Sequence, residues 1–410
     1  MENEQAACRG TKARKDHVNP FEFYSVWRVV FGRGEIARLG GLARQLGQAA
    51  LVVYNGCEVG DGRTADQVGR LLSEATVRAT FVRQRGEPTV ADVDRGVQAG
   101  RRAECELVIG LGGGSAIDAA KAIAALMSNG GSAIDYMEVV GKGLKITRPA
   151  LPWIAAPTTA GTGAEVTRNA VISLPEKQFR ASIRSEHLLP RVALVDPELG
   201  AGVPPDVTAS SGMDALCQLI EAYTSTGAQP LTDALAMKGI GLAARSLRRV
   251  YADGGDLDAR QDMALAALLS GIALTNAGLG AVHGFAAPLG ARFPAPHGVV
   301  CAALLPGVIK ANIQAMSTES RAGLHKYAHV GRALANRMDL DDSAALAACI
   351  DSCSQLARDL KIPSLSKFGM AEKDIPELVK LARKSSSMKY NPVTLSDEAL
   401  TEVLKAAVRG

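Results

Sequence analysis

No run of about 18 apolar residues occurs in this sequence, so an ordinary membrane-spanning helix is not expected. Strong charge of one sign is missing too. The formal net charge is +4 and no basic block gathers it, which argues against a nucleic-acid partner. Nor is there a disulfide framework, because the seven Cys are odd in number and scattered singly, as suits a reducing compartment. Cys349 and Cys353, four apart in an Ala-rich helical stretch, read as small buried thiols in preference to a metal pair. The basic residues of Met1–Pro20 are followed by no apolar stretch, so this segment reads as a flexible extension and not as a secretory signal, and the expected location is cytoplasmic. Internal repeats and low-complexity tracts are absent. What remains is 47% apolar and 21% charged, ordinary for a globular chain, and 410 residues exceed what one core usually organises.

Two textures divide the chain. Residues 21–197 alternate short β-branched runs (Leu51–Tyr54, Ala79–Val82, Leu107–Leu111, Ile154–Ala156, Val192–Val195) with helical patterns (Glu35–Gly47, Ala65–Ala75, Val90–Arg102, Ala116–Met127). That alternation predicts an α/β domain with a Rossmann-like, doubly wound parallel sheet. After Asp196 a link rich in Pro and Gly leads into residues 198–410, an expected all-α domain with helices over Asp206–Ser225, Pro230–Tyr251, Asp256–Leu274, Ser317–Arg337, Ser343–Leu360 and Ser396–Val408.

The predicted strand ending at Leu111 runs through Gly112, Gly113, Gly114 and Ser115 into a helix. Glycines let backbone amides approach a pyrophosphate, and the helix N-terminus adds unsatisfied N–H groups and partial positive charge. A tight turn needs glycine for steric reasons as well, so this motif alone leaves both readings open. A second loop, Pro157 to Thr167, also follows a strand and is lined with Thr and Gly. Such a loop can satisfy its own backbone, but ligands of open parallel sheets collect at this edge.

Several separated motifs, Phe31-Gly32-Arg33-Gly34, Gly112–Ser115 with Asp118 and Lys121, Pro157–Thr167, Gly212-Met213-Asp214-Ala215 with Glu221-Ala222-Tyr223, Gly278-Leu279-Gly280 to His283, Pro296-His297-Gly298 and Asn391-Pro392, occur in one order. Together they resemble the iron-containing alcohol dehydrogenase family, whose relatives include glycerol dehydrogenase and dehydroquinate synthase. The resemblance implies that fold, an NAD(P)-dependent oxidoreductase acting on a small alcohol or aldehyde, and a homodimer. It places Gly114 and Ser115 at the pyrophosphate and Thr159, Gly161, Thr162, Thr167 and Asn169 around the nicotinamide, with Gly113, Asp118 and Thr158 as further cofactor-binding residues. Arg180 stands where a ribose-contacting Lys is usual. Asn55, before Gly56, stands where NAD-preferring members carry an acidic residue that repels a 2′-phosphate, so NADP(H) as well as NAD(H) is expected to bind.

The same resemblance implies catalytic and metal-binding roles for Asp214, His283 and His297, while the position of a further ligand imidazole holds Gln218, itself a catalytic candidate. An amide oxygen is a weak ligand, so a divalent metal, Fe or Zn, is expected to be held more weakly or with altered selectivity. A second family imidazole, near the nicotinamide, is replaced by Ala287. His17, His187, His325 and His329 read as structural. Two other readings compete: a dehydroquinate synthase-like lyase, which would want a basic cluster where the sequence offers only Arg292, and a metal-independent or degenerate member that only binds.

Overall fold

A computed structural model describes residues 19–55, 63–137, 140–177, 179–319 and 323–410. His17, Gly56 and most of the expected N-terminal extension lie outside the described residues. Six parallel strands, β1 (Val29–Phe31), β2 (Ala49–Tyr54), β3 (Arg78–Arg83), β4 (Leu107–Gly112), β5 (Trp153–Pro157) and β8 (Val192–Val195), form a sheet in the order β1-β8-β5-β4-β2-β3. Between β5 and β8 the chain adds an antiparallel hairpin of β6 (Asn169–Leu174) and β7 (Phe179–Arg184).

The sheet is covered on both sides, which is why β4 and β5 are apolar at nearly every residue and buried throughout. Helices α1 (Leu39–Arg44) and α2 (Arg63–Glu74) pack on one face through Leu39, Leu42, Val68 and Leu72. On the other lie α3 (Val90–Arg102), α4 (Gly114–Asn129) and the short α5 (Ala133–Tyr136). From β2 the chain steps outward to β3, then returns to the other side of β2 to lay down β4. The winding direction therefore reverses between β2 and β4, and Asn55 and the glycine turn follow the carboxyl ends of those two strands. Open α/β sheets bind their ligands at such a switch point.

Beyond Pro205 the described chain is helical: α6 (Pro205–Thr224), α7 (Pro230–Ala252), α8 (Leu257–Ala277), α9 (Ala281–Arg292), α10 (His297–Glu319), α11 (Leu324–Ala335), α12 (Asp342–Asp359), α13 (Ile375–Ala382) and α14 (Asp397–Arg409). They enclose one core, and Cys349 and Cys353 are both buried in it as free thiols. Over His297–Ser317, α10 is long and apolar enough to cross a membrane, but 67% of that stretch is buried inside the protein, as befits a core helix. The helix expected over Ser317–Arg337 is instead the end of α10 and the whole of α11. Within the expected all-α domain α9 and α10 were not delimited individually, and Pro288 and Pro306 lie inside them.

Lys121 on α4 is fully buried and ties the second loop to the hairpin. Its ammonium donates to Ala164 O (2.9 Å), Thr167 Oγ1 (2.7 Å) and Asn169 O (2.7 Å). Asp118, one turn earlier, accepts from Val171 N (3.0 Å) and lies 3.7 Å from Lys121. Burial pushes Asp118 up to about 6 and Lys121 down to about 8, and it raises the nearby Glu165 to about 7.

From the ordinary Glu value of 4.5 up to about 7, folded Glu165 holds a proton that the unfolded chain has released, so its contribution to stability is lost as pH rises through 7. Glu165→Gln removes that loss. Its gain in melting temperature over wild type is expected to grow between about pH 5 and about pH 8, by the equivalent of up to about 3 kcal/mol. A gain that does not change with pH in thermal denaturation would contradict this.

Candidate active site

The glycine turn is shaped for close approach. Gly112 has φ +145°, and a Cβ there would collide with the amide oxygen of Asn55. Gly114 begins α4, and a Cβ on it would come within 2.9 Å of Thr162, so the two loops flanking the crevice touch each other. Asn55 turns its side chain onto this turn, accepting from Gly113 N (3.3 Å) and donating to Ser115 Oγ (3.4 Å). Thr158 is 2% exposed, and its hydroxyl has no hydrogen-bond partner among the described residues. A cradle without Cβ atoms, open amides at a helix N-terminus and an unpaired buried hydroxyl fit a dinucleotide phosphate.

Of the other residues singled out in the sequence, Thr162 caps Ala164 N (3.2 Å), and Thr167 and Asn169 receive Lys121. Arg180, on β7, packs against Gly290 of α9 and lies 3.8 Å from Glu87. Asp118 and Lys121 thus brace the loops from behind.

Three helices build the second half of the site. Asp214 and Gln218 lie one turn apart on α6, His283 on α9, and His297 at the start of α10. Close packing of α6 and α10 requires Gly298, because a Cβ there would strike the carbonyl of Ser210. Asp214 Oδ1 lies 3.4 Å from His283 Nε2 and 3.6 Å from His297 Nε2, and is buried without a hydrogen bond among the described residues. Leaving such an oxygen unpaired costs roughly 1–3 kcal/mol or more, and a cation between these atoms removes that cost. The donor set therefore fits a divalent metal. His297, 35% exposed, forms its open side.

Two residues of the site escaped the sequence reading in their roles. Glu221, seven residues after Asp214 on α6, accepts from His283 Nδ1 (2.6 Å) and from Val282 N (2.7 Å). The carboxylate thus fixes the imidazole with Nε2 as the free lone pair, and with Asn391 Oδ1, which accepts from Ala281 N (3.1 Å), it caps α9. Cys301, one turn after His297 on α10, places Sγ 3.7 Å from His283 Nε2 and 3.6 Å from His297 Nε2. Burial alone would raise this thiol, but a hydrogen bond from Cys217 and the two imidazoles hold it well below the ordinary value. Burial also raises Asp214. The spacing of His297 and Cys301, four apart on one helix, was the available signal for Cys301.

Gln218 is not aimed at the cluster. Its Nε2 donates to Asp214 Oδ2 (3.0 Å) and its Oε1 accepts from Ser270 Oγ (2.8 Å). Ser270 also lies 3.5 Å from Gly161 O, and a Cβ on Gly161 would press on Ser211. Ser270 thus stands in contact with the second loop while its hydroxyl proton goes to Gln218, which in turn holds Asp214. Ala287, one turn beyond His283, is exposed.

Two family models match the chain: "Iron-containing alcohol dehydrogenase" over residues 27–197 and "Fe-containing alcohol dehydrogenase family, C-terminal" over residues 208–408. Alcohol dehydrogenase 4 of Schizosaccharomyces pombe is 38% identical over 345 residues, 84% of this chain and 78% of its own. The 1,3-propanediol dehydrogenase of Klebsiella pneumoniae is 35% identical over 382 residues, 92% and 96% of the two chains. A crystal structure of 1,3-propanediol oxidoreductase superposes with a TM-score of 0.88 at 34% identity, covering 95% of this chain and all of its own.

With Nε2 of His283 presented by Glu221, Glu221→Gln is expected to lower affinity for a divalent metal about 10- to 100-fold. Equilibrium dialysis at matched pH measures this, and unchanged affinity would remove Glu221 from the site.

Proposed function

The chain belongs to the iron-containing alcohol dehydrogenase family and is an oxidoreductase acting on CH–OH groups, and from that premise we propose that it interconverts a small alcohol and its aldehyde, with NADP(H) accepted beside NAD(H), at a metal held by Asp214, His283 and His297. The observation that carries this reading is the convergence of three donor atoms on α6, α9 and α10, with Ser270, which holds Gln218, lying against Gly161 of the loop beside the glycine turn. The relatives named above are alcohol and propanediol dehydrogenases, which favours the dehydrogenase over the lyase.

A nicotinamide held at the glycine turn would supply or take up hydride, and a cation held by Asp214, His283 and His297 would stabilise negative charge on the substrate oxygen. The residues of the chain orient these partners. Gly114 and Ser115 offer backbone and hydroxyl donors to the pyrophosphate, and Gly113, whose N–H is held by Asn55, leaves the turn free of a side chain; Thr158, Thr159, Gly161 and Thr162 shape the nicotinamide end, and Arg180 on β7, beside Gly290 of α9, is the ribose candidate. Asp118, Lys121, Thr167 and Asn169 hold that loop in place. Gln218 fixes Asp214 with Oδ1 facing the two imidazoles. With Ala287 in place of an imidazole, α9 has no titrating side chain one turn beyond His283, so the alcohol proton leaves by another group or by water.

Cofactor choice follows from charge. Asn55, at the carboxyl end of β2, is neutral. A 2′-phosphate at the end of β2 would meet no carboxylate on that strand. A homodimer and a reducing cytoplasm complete the proposal. Edge strand β1, beside Trp27 at 80% exposure, offers a surface for a second copy, and five buried cysteines are free thiols.

Asp214→Ala is expected to abolish carbonyl-dependent NAD(P)H consumption, followed by the absorbance of reduced nicotinamide over a panel of small aldehydes. Near-normal turnover would remove the site from the reaction. Asn55→Asp is expected to reduce kcat/KM for NADPH relative to NADH by at least about tenfold, since a new carboxylate repels the 2′-phosphate. An unchanged ratio would show that Asn55 does not face the ribose.

A further inference from the structure

The family position that would supply another imidazole holds Gln218, and both ends of that amide are already engaged, one by Asp214 and the other by Ser270. The cluster nevertheless has four inward-facing donors. Asp214 Oδ1, His283 Nε2, His297 Nε2 and Cys301 Sγ all lie within 4.8 Å of one another. Four of the edges of this figure are known: 3.4 and 3.6 Å from the carboxylate oxygen to the two nitrogens, and 3.7 and 3.6 Å from the sulfur to the same nitrogens. Zinc bonded tetrahedrally at its usual lengths to oxygen, nitrogen and sulfur separates its ligands by about 3.3–3.6 Å. The donors therefore stand at nearly the spacing that such an ion imposes.

Two further observations point to an ion at the centre. Asp214, 2% exposed, aims an oxygen there that has no hydrogen bond among the described residues. Glu221 occupies Nδ1 of His283, so the nitrogen facing Cys301 is the one carrying a lone pair. A sulfur 3.7 Å from that lone pair is better explained as a fellow ligand than as ordinary core packing.

We propose that Cys301 is the fourth protein ligand, taking the place of the imidazole that Gln218 cannot supply, and that the resulting Asp-His-His-Cys set selects zinc over iron. A thiolate is a softer donor than imidazole, and a tetrahedral site of mixed nitrogen and sulfur ligands favours zinc. In this arrangement Gln218 is a positioning residue that holds Asp214 toward the ion. The inference rests on the metal reading of Asp214, His283 and His297 given above, and the test separates the two.

The full chain is freed of metal and loaded with Co(II), whose thiolate complexes show a charge-transfer band in the near ultraviolet in addition to the visible bands of any tetrahedral cobalt site. The wild type is expected to show both sets, Cys301→Ser to keep the visible bands and lose the near-ultraviolet one, and Cys217→Ser to keep both. Zinc affinity by competition with a chelating dye is expected to fall at least about tenfold in Cys301→Ser, since even outer partners contribute that much. Visible bands without the charge-transfer band in wild type would overturn Cys301 as a ligand while leaving the Asp-His-His site standing. A charge-transfer band that survives Cys301→Ser would overturn it as well. Failure of the wild type to bind cobalt at all would sink the metal reading itself. If Cys301→Ser does not fold, the wild-type spectrum with the Cys217→Ser control decides. Preferential loading of iron from a mixture of equal Fe(II) and Zn(II), measured by elemental analysis, would refute the selectivity.

Discussion

A carboxylate removed from water must find compensation for its charge, and the helical half is arranged around that requirement at Asp214. One oxygen is held by Gln218, and the other faces two imidazoles and a sulfur without a hydrogen bond. Glu221 turns His283 toward it, Gly298 lets α10 come near enough to deliver His297, and Ser270 steadies Gln218 from α8. Each of these residues would be replaceable in an ordinary core. Here they serve to set the direction of a few lone pairs.

The sheet half follows a different logic, in which glycine supplies room and lysine supplies tension. Gly112 and Gly114 clear the crevice at the point where the strand order reverses, and buried Lys121 draws Ala164, Thr167 and Asn169 into one frame. Asp118 and Lys121, grouped in the sequence with the phosphate turn, lie behind it and hold the hairpin and the Thr-rich loop. The shape of the cleft thus depends on ionisable groups that are kept out of water.

Much of this could be read from residue order alone. The strands β2, β3, β4, β5 and β8 and helices α3, α6, α7, α12 and α14 are legible because period and breakers agree within each segment. The hairpin of β6 and β7 was hidden by the Pro175-Glu176-Lys177 turn and the charged residues around it. Helices α9 and α10 were not delimited individually, and the local cost of Pro288 and Pro306 inside them is borne by burial on several sides. At the site, Asp214, His283 and His297 stood out because they lie in long motifs. Gln218 shares a helical face with Asp214, and that face suggested a weak ligand; its actual orientation is decided by Ser270, 52 residues away. A cysteine within an apolar helix reads as core, and only the approach of α9 to α10 shows which atoms Cys301 meets.

Where the two halves join at the loop after β5, the contact is made by main chain against main chain: Gly163 rests on Gly271 with no side chain between them. Bare backbones in contact have no rotamers to change and little slack to take up. Neither glycine can therefore gain even a methyl group without pushing the two halves apart at the seam that sets the width of the cleft.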